Sequence, residues 1–280
     1  MNPKTGLKHK WSIVVFSSGP VGKRFLEILL KFHKKNRLNI EAVVVREDSK
    51  NPFYIEGKRD ATALLAQKHG LSVMPTPDEL LKESKKYDIG LSLGNFHILR
   101  REHIGLFKMG IINFHAAPIL QYRGSAAPAF HILEKDTPQW GYAYHMIDEK
   151  IDEGDIIKNV IYDIPAGLSS KEIDASAIEH AVSGFSKFLD DLLNGKIKAT
   201  SQSKFQEFQK LRSRKRGELY GREITDVEIN DENLTRLLRA YDWPEIFKHP
   251  AIKVNGRLVR TVPENTYQEM LRIFRKFKDA

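Results

Sequence analysis

Between residues 11 and 115, short apolar runs alternate with stretches of helical period. "WSIVVF" reads as a buried strand, and "GPVGKRFLEILLKFHKK" comes after it with Phe25, Ile28, Leu29 and Phe32 on one helical face. The order continues with strand "IEAVVV", helix "RDATALLAQKHG" closed by Gly70, strand "LSVM" and helix "TPDELLKESKK" with Pro77 in its first turn. Strands "DIGLSL" and "MGIINF" come next. Strands separated by helices are joined by crossovers, and crossovers make them parallel. The pattern predicts an α/β fold: a Rossmann-like open, mostly parallel sheet with helices on both faces. Helix "SAAPAFHILEK" is next, and the alternating runs "GYAYHMI" and "DIIKNVIYDI" extend the sheet. A long helix then starts at the capping-box pair Ser169 and Glu172, carries Ala177, Ala181, Phe185, Phe188 and Leu192 on its apolar face, and ends at Gly195. After about residue 200 the texture becomes shorter and more charged. This predicts a main domain over 1–199 and a small C-terminal α+β region over 200–280, built as linker, helix, short hairpin and helix.

Composition removes several classes of chemistry. The chain has no cysteine, so thiol nucleophiles, thiolate metal sites and disulfides are excluded. No stretch has the apolar core of a signal peptide or the length of a membrane span, and the expectation is a cytoplasmic protein with no membrane partner. Its histidines are scattered without H-E-x-x-H, so no metal is expected, and His97 and His103 read as surface or edge residues. The first turn, "FSSGPVG", has Gly19 and Gly22 but not G-x-G-x-x-G, which argues against a dinucleotide. A tight turn that brings a substrate to backbone amides stays open there. G-x-S-x-G is absent, and Ser17 and Ser18 read as turn residues rather than nucleophiles. Of the net charge of +9, +6 lies in residues 191–280, most densely in "KLRSRKRGELYGR". That excess is either a solvated face or a surface for polyanions.

Ligands of open α/β sheets bind at the carboxyl ends of strands. There the chain places Asn113 and His115, two residues apart and so on one side of their strand. Asp152 lies further on, in the glycine-containing stretch "DEKIDEGDII". Taken singly, these residues are accounted for by a strand-end cap, an edge histidine and a hairpin acid. Together they offer a carboxamide N–H for a developing oxyanion, an imidazole for proton movement and a carboxylate to orient it. That set suits acyl transfer to an amine without a covalent enzyme intermediate.

The stretch "NFHAAPILQYRGSAAPAFHIL…IDEGDI" resembles the folate-dependent formyltransferase family, which includes methionyl-tRNA formyltransferase, glycinamide ribonucleotide transformylase and the sugar N-formyltransferases. The family pattern of Asn-x-His, a loop ending in Tyr/Trp-Arg-Gly, and Asp-x-Gly is matched by Asn113, His115, Tyr122, Arg123, Gly124, Asp152 and Gly154. The resemblance covers roughly residues 11–195. It implies 10-formyltetrahydrofolate as donor, with Asn113, His115 and Asp152 as the catalytic set. Leu93, Gly94, Phe96, Ile98, Asp148 and Ile151 are the expected folate contacts, although Phe96 and Ile98 equally suit core positions. Tyr122, Arg123 and Gly124 are the expected acceptor contacts, with a loop brace as the other reading of Arg123. "AAPIL" departs from the Ser-Leu-Leu-Pro common after the family's histidine, which leaves the acceptor open. The segment "LLRAYDWPEIFKHPAIKVNGRLVR" resembles the region C-terminal to the catalytic domain in the tRNA and aminosugar enzymes. The first expectation is an N-formyltransferase acting on a nucleotide-linked amino dideoxy sugar, such as a dTDP sugar, in O-antigen or lipopolysaccharide assembly. A methionyl-tRNA formyltransferase-like enzyme is second, for which the basic loop "REDSKNPFYIEGKR" speaks, and a non-catalytic nucleic-acid-binding relative is third. A homodimer through the C-terminal region is expected by analogy.

Overall fold

The computed structural model describes residues 10–205, 213–215, 219, 231–243, 251–254 and 257–260. The chain begins β1 (Trp11–Phe16), α1 (Gly19–Lys34), β2 (Leu38–Val44), α2 (Ala61–Lys68), β3 (Val73–Met74) and α3 (Asp78–Lys82). It continues β4 (Ile89–Ser92), α4 (Arg101–Ile104), β5 (Ile111–His115), β6 (Arg123–Gly124) and α5 (Ala127–Glu134). Next are β7 (Gln139–Met146), β8 (Ile156–Asp163) and α6 (Ser170–Leu193), then β9 (Ser213–Arg214), α7 (Asp231–Tyr241), β10 (Ala251–Val254) and β11 (Arg257–Arg260).

The main sheet has the order β3-β2-β1-β4-β5-β7-β8. β1 lies parallel to β2 and β4, β2 to β3, and β4 to β5, as the strand–helix alternation predicts. β7 and β8 extend the sheet beyond β5, and Met146 N donates to Asp155 O at 2.8 Å where the chain reverses between them.

Two compact units make up the chain. One comprises Met1–Phe114, Tyr144–Lys158 and His180–Ser201; the other comprises His115–Ala143, Asn159–Glu179 and Gln202–Ala280. Residues 115–143 and 159–179 group with the C-terminal part, whereas the sequence sets a single boundary at 199/200.

In the first unit, β1 is apolar on both faces because both are covered. Ile13, Val14, Val15 and Phe16 are all fully buried. On one side Phe25 of α1 packs 5.1 Å from Phe114 and 4.8 Å from Phe185, and Tyr144 stacks on Phe188 at 4.1 Å. On the other, Val14 and Phe16 join Leu80, Tyr87 and Phe107. Each such buried ring contributes about 2–3 kcal/mol.

The helix expected over "TPDELLKESKK" is shorter than its apolar pattern, spanning only Asp78–Lys82, and Pro77 is its N-cap rather than a first-turn residue. The reason lies just beyond it: Lys85 reaches Glu41 at 2.6 Å, and Tyr87 N donates to Leu106 O at 2.9 Å, so the chain is already extended. α6 starts as expected. Ser169 N donates to Glu172 Oε2 at 2.7 Å, Glu172 N donates to Ser169 Oγ at 3.4 Å, and Gly195 closes the helix at φ +66°.

In the second unit, Arg239 of α7 donates to Asp136 and, at 3.1 Å, to Leu168 O. β10 and β11 form the expected short antiparallel hairpin. The expected final helix lies outside the described residues, as does most of the basic segment over 210–222.

Candidate active site

The parallel register of β4 and β5 sets Ser92 opposite Asn113. Ser92 Oγ donates to Asn113 Oδ1 at 2.7 Å, which fixes the carboxamide and turns its Nδ2 the other way. Nδ2 lies 3.0 Å from Nε2 of His145 on β7. The imidazole is buried, with its Nδ1 2.8 Å from Met146 O. A carbonyl only accepts, so Nδ1 carries a proton. Asp152 completes the chain with Oδ1 3.4 Å from His145 Nε2. Asn113 and Asp152, separate in the sequence, are thus brought to one nitrogen.

The Asp-x-Gly pattern has a steric cause. Asp152 sits at φ +57°, a left-handed turn that a short polar residue tolerates. A Cβ on Gly154 would lie 1.9 Å from Met146 O, so only glycine lets the chain close back on β7. Ile151, beside Asp152, is 64% exposed, and Asp148 is exposed with Oδ1 accepting from Lys150 N at 3.0 Å.

The loop after β4 is held open-faced. Asn95 bonds the backbone of His97 twice, at 2.9 and 3.0 Å, and Arg46 Nη1 donates to Phe96 O at 2.8 Å. Phe96 is half-buried, 6.1 Å from Phe53, whereas Ile98 is 84% exposed and fills no core. Burial, aided by the Arg46 charge, pushes His97 down to about 4, so its ring is neutral. Gly94 turns at φ +72°, and its carbonyl accepts from Ser18 N at 2.9 Å.

Several expected residues sit elsewhere than a ligand surface. Leu93 is fully buried, its N donates to Phe16 O at 2.9 Å and its carbonyl accepts from Ser17 Oγ, so it supports the loop and offers no wall. Tyr122 and Arg123 are 2% and 1% exposed. Tyr122 Oη lies 3.1 Å from His131 Nδ1, its ring is 5.3 Å from Trp140, and Arg123 donates to Gln202 at 2.6 Å. Both side chains therefore brace the second unit, which for Arg123 is the loop-brace reading set beside acceptor contact. Gly124 is half-buried at φ +86°. His115, next along the same side of β5, lies with Nε2 3.1 Å from Tyr122 O, which puts the proton on Nε2 and the basic lone pair on Nδ1. His103 is no surface residue: it is buried, with Nδ1 accepting from Arg100 N and Nε2 2.8 Å from Asp78.

His145 was not among the expected site residues. Its signal was present: a lone imidazole in the aromatic strand "GYAYHMI", seven residues before Asp152. The first turn is likewise corrected, because it is closed. Gly19 N donates to the Asp60 carboxylate at 2.7 Å, so a carboxylate already holds the anion position at the start of α1. A Cβ on Gly19 would meet the Phe53 ring at 3.3 Å. Ser17 and Ser18 are bonded turn residues, as expected. Among the described residues no group of His, Asp and Glu is arranged to hold a metal ion.

Comparison with known proteins gives this geometry a context. A model of the formyl transferase family matches residues 11–189. Methionyl-tRNA formyltransferase of Desulfotalea psychrophila is 27% identical over 214 residues, covering 74% of this chain and 63% of that protein. The mitochondrial enzyme of Bos taurus is 26% identical over 170 residues, covering 60% and 42%. The chain thus spans less than two thirds of the length of these curated relatives. Among solved structures, an N-formyltransferase from Helicobacter canadensis, in complex with folinic acid and dTDP-3-aminofucose, superposes with a TM-score of 0.67 at 18% identity, over 89% of this chain and 86% of that one. A 4-N formyltransferase from Francisella tularensis gives 0.66 at 19% identity, over 90% and 96%. A glycinamide ribonucleotide transformylase from Symbiobacterium toebii gives 0.55 at 16%, over 70% and 96%. With most of the described sheet inside the matched segment, and Asn113 and Asp152 within it, the chain belongs to the formyl transferase family.

Proposed function

We propose that this protein moves a formyl group from 10-formyltetrahydrofolate to the amine of a nucleotide-linked amino dideoxy sugar, in the cytoplasm and in the service of surface-glycan assembly. The observation that carries the transfer chemistry is the fixed carboxamide of Asn113 at the end of β5, its oxygen held by Ser92 and its Nδ2 3.0 Å from His145 Nε2. Ile98 and Ile151, 84% and 64% exposed, and the half-buried Phe96 are apolar side chains that a flat aromatic ligand would cover, so these residues suit the folate. Bound 10-formyltetrahydrofolate would supply the formyl carbon.

Asn113 Nδ2–H donates to the formyl oxygen as negative charge develops on it. His115, with Nε2 3.1 Å from the Tyr122 carbonyl, takes the proton of the attacking amine and returns it to the tetrahydrofolate nitrogen as that nitrogen's bond to the formyl carbon breaks. Asp152, 3.4 Å from His145 Nε2, acts through that ring by helping to hold it in place. Gly154 keeps Asp152 in place by its close approach to Met146.

Two observations support a sugar acceptor. The N-formyltransferase from Helicobacter canadensis, solved with dTDP-3-aminofucose, is matched over 86% of its own length. The loop over 46–59, which its lysines and arginines make a candidate RNA surface, carries four bases against three acids. Its two arginines are paired, Arg46 with Asp48 at 2.9 Å and Arg59 with Glu47 at 2.8 Å. The curated relatives favour a methionyl-tRNA acceptor as the second reading.

The test is tetrahydrofolate release by purified protein given 10-formyltetrahydrofolate, a panel of dTDP-, UDP- and GDP-linked amino sugars, and initiator methionyl-tRNA in a parallel reaction. Release with one amino sugar is the expected result. Release with the tRNA alone moves the assignment to the second reading, and silence in every reaction overturns both.

A further inference from the structure

The His115 imidazole takes its direction from Tyr122. Nε2 lies 3.1 Å from the Tyr122 carbonyl, and a carbonyl only accepts, so the position of that peptide sets how the ring points. Tyr122 is itself held on both sides of its carbonyl. Its N donates to Pro118 O at 2.9 Å. Its buried ring lies 5.3 Å from Trp140 and 5.7 Å, edge-on, from His131. Its hydroxyl lies 3.1 Å from His131 Nδ1.

His131, in the last turn of α5, is buried with both ring nitrogens bonded. Nε2 lies 3.0 Å from Thr137 O, which can only accept, so Nε2 carries a proton. Burial pushes the pKa of the ring down from the ordinary histidine value, so the imidazole is neutral and Nδ1 is a lone pair. The Tyr122 hydroxyl therefore donates to it. The turn that carries Thr137 is pinned as well. Asp136 N donates to His131 O at 2.8 Å, and Arg239 of α7 donates to the Asp136 carboxylate.

We infer that His131 is a positioning residue for His115: it accepts the Tyr122 hydroxyl and so fixes the peptide whose carbonyl aligns the His115 imidazole. The line of bonds runs from Thr137 O through His131 and Tyr122 to His115. The buried hydroxyl of Tyr122 thus serves the chemistry without meeting a ligand. The inference rests on the role proposed for His115, whereas the line of bonds rests on geometry.

Two arms test it on the full chain. In the first, formyl transfer is measured with the acceptor that the panel identifies, and rates are taken per folded molecule. A misplaced proton-transfer group slows the reaction more than it weakens binding. Tyr122→Phe removes only the hydroxyl and is expected to lower kcat about tenfold at unchanged KM for the folate. His131→Leu is expected to lower kcat as much, and the double variant to fall no further, because one bond is lost in all three. A kcat for Tyr122→Phe within about twofold of wild type, or losses that multiply in the double variant, overturns the inference. If His131→Leu does not fold, Tyr122→Phe decides this arm alone. The second arm needs no substrate. In histidine-labelled protein, the Nε2 proton of His115 is expected to exchange with water at least about tenfold faster in Tyr122→Phe than in wild type, as a loosened hydrogen bond requires. An unchanged exchange rate overturns the inference. Absence of formyl transfer by the wild-type protein to every acceptor instead contradicts the proposed function, and the second arm then decides the inference.

Discussion

The carboxyl edge of this sheet carries two turns of opposite character, both in the same compact unit. After β1, Ser17 N, Ser18 N and Gly19 N all donate to groups of the protein. The Asp60 carboxylate accepts from Gly19 N, from Thr62 N at 2.7 Å and from Asn51 at 3.2 Å, while Phe53 lies against Gly19. After β7, Asp152 and Asn113 meet one histidine nitrogen, and Ile151 in the same turn is 64% exposed. A helix N-terminus is an anion site only while no side chain fills it. Here Asp60 fills it, and the chemistry sits further along the strand order.

The contrast breaks most visibly at Asn113. Asn113→Ala is expected to lower turnover about a hundredfold or more, the usual loss for a missing oxyanion donor. Steady-state kinetics beside a thermal melt checks that the fold persists. Turnover near wild type would remove Asn113 from the chemistry. At the closed turn the effect should move from rate to stability. Asp60→Ala strips the α2 cap and leaves two buried N–H groups unpaired, for a loss of about 2 kcal/mol in denaturant unfolding. Turnover per folded molecule should stay within about threefold; a larger fall would mean that the first turn is part of the site after all.

A smaller effect belongs to the exposed apolar wall. Ile98→Ala is expected to raise the KM for the folate about fivefold at unchanged kcat, as a few lost methylene contacts predict. An unaltered KM would place the folate elsewhere. The smallest effect is one of pH. His97 is held down at about 4, well below an unfolded histidine near 6.5, so the unfolded chain binds more protons in that window. Its contribution to stability is present above about pH 6.5 and is lost as pH falls through about 4. Hydrogen exchange over residues 94–98 should rise with acid in that range, and His97→Gln should flatten the rise.

Much of this was legible in residue types alone. Alternating apolar runs fixed the parallel strands, Ser169 and Glu172 fixed the start of α6, and Asn113 and Asp152 stood out by chemistry and spacing. The illegible part depends on distances across the sheet. The capping partner of Gly19 is Asp60, 41 residues away, and no local pattern links them. His145 reads as one more scattered histidine until the strand order β5-β7 sets it beside Asn113. Tyr122 and Arg123 carry the family motif, yet burial makes them braces, because a polar side chain in a motif can serve the loop rather than the ligand.

The most direct measurement is a methyl NMR titration of isoleucine-labelled protein with folinic acid. Ile98 and Ile151 flank the open turn, and Ile55, 57% exposed, stands in the loop that closes the first. The account predicts saturable shifts at Ile98 and Ile151 with Ile55 unmoved. Shifts at Ile55 with Ile98 and Ile151 still would contradict it.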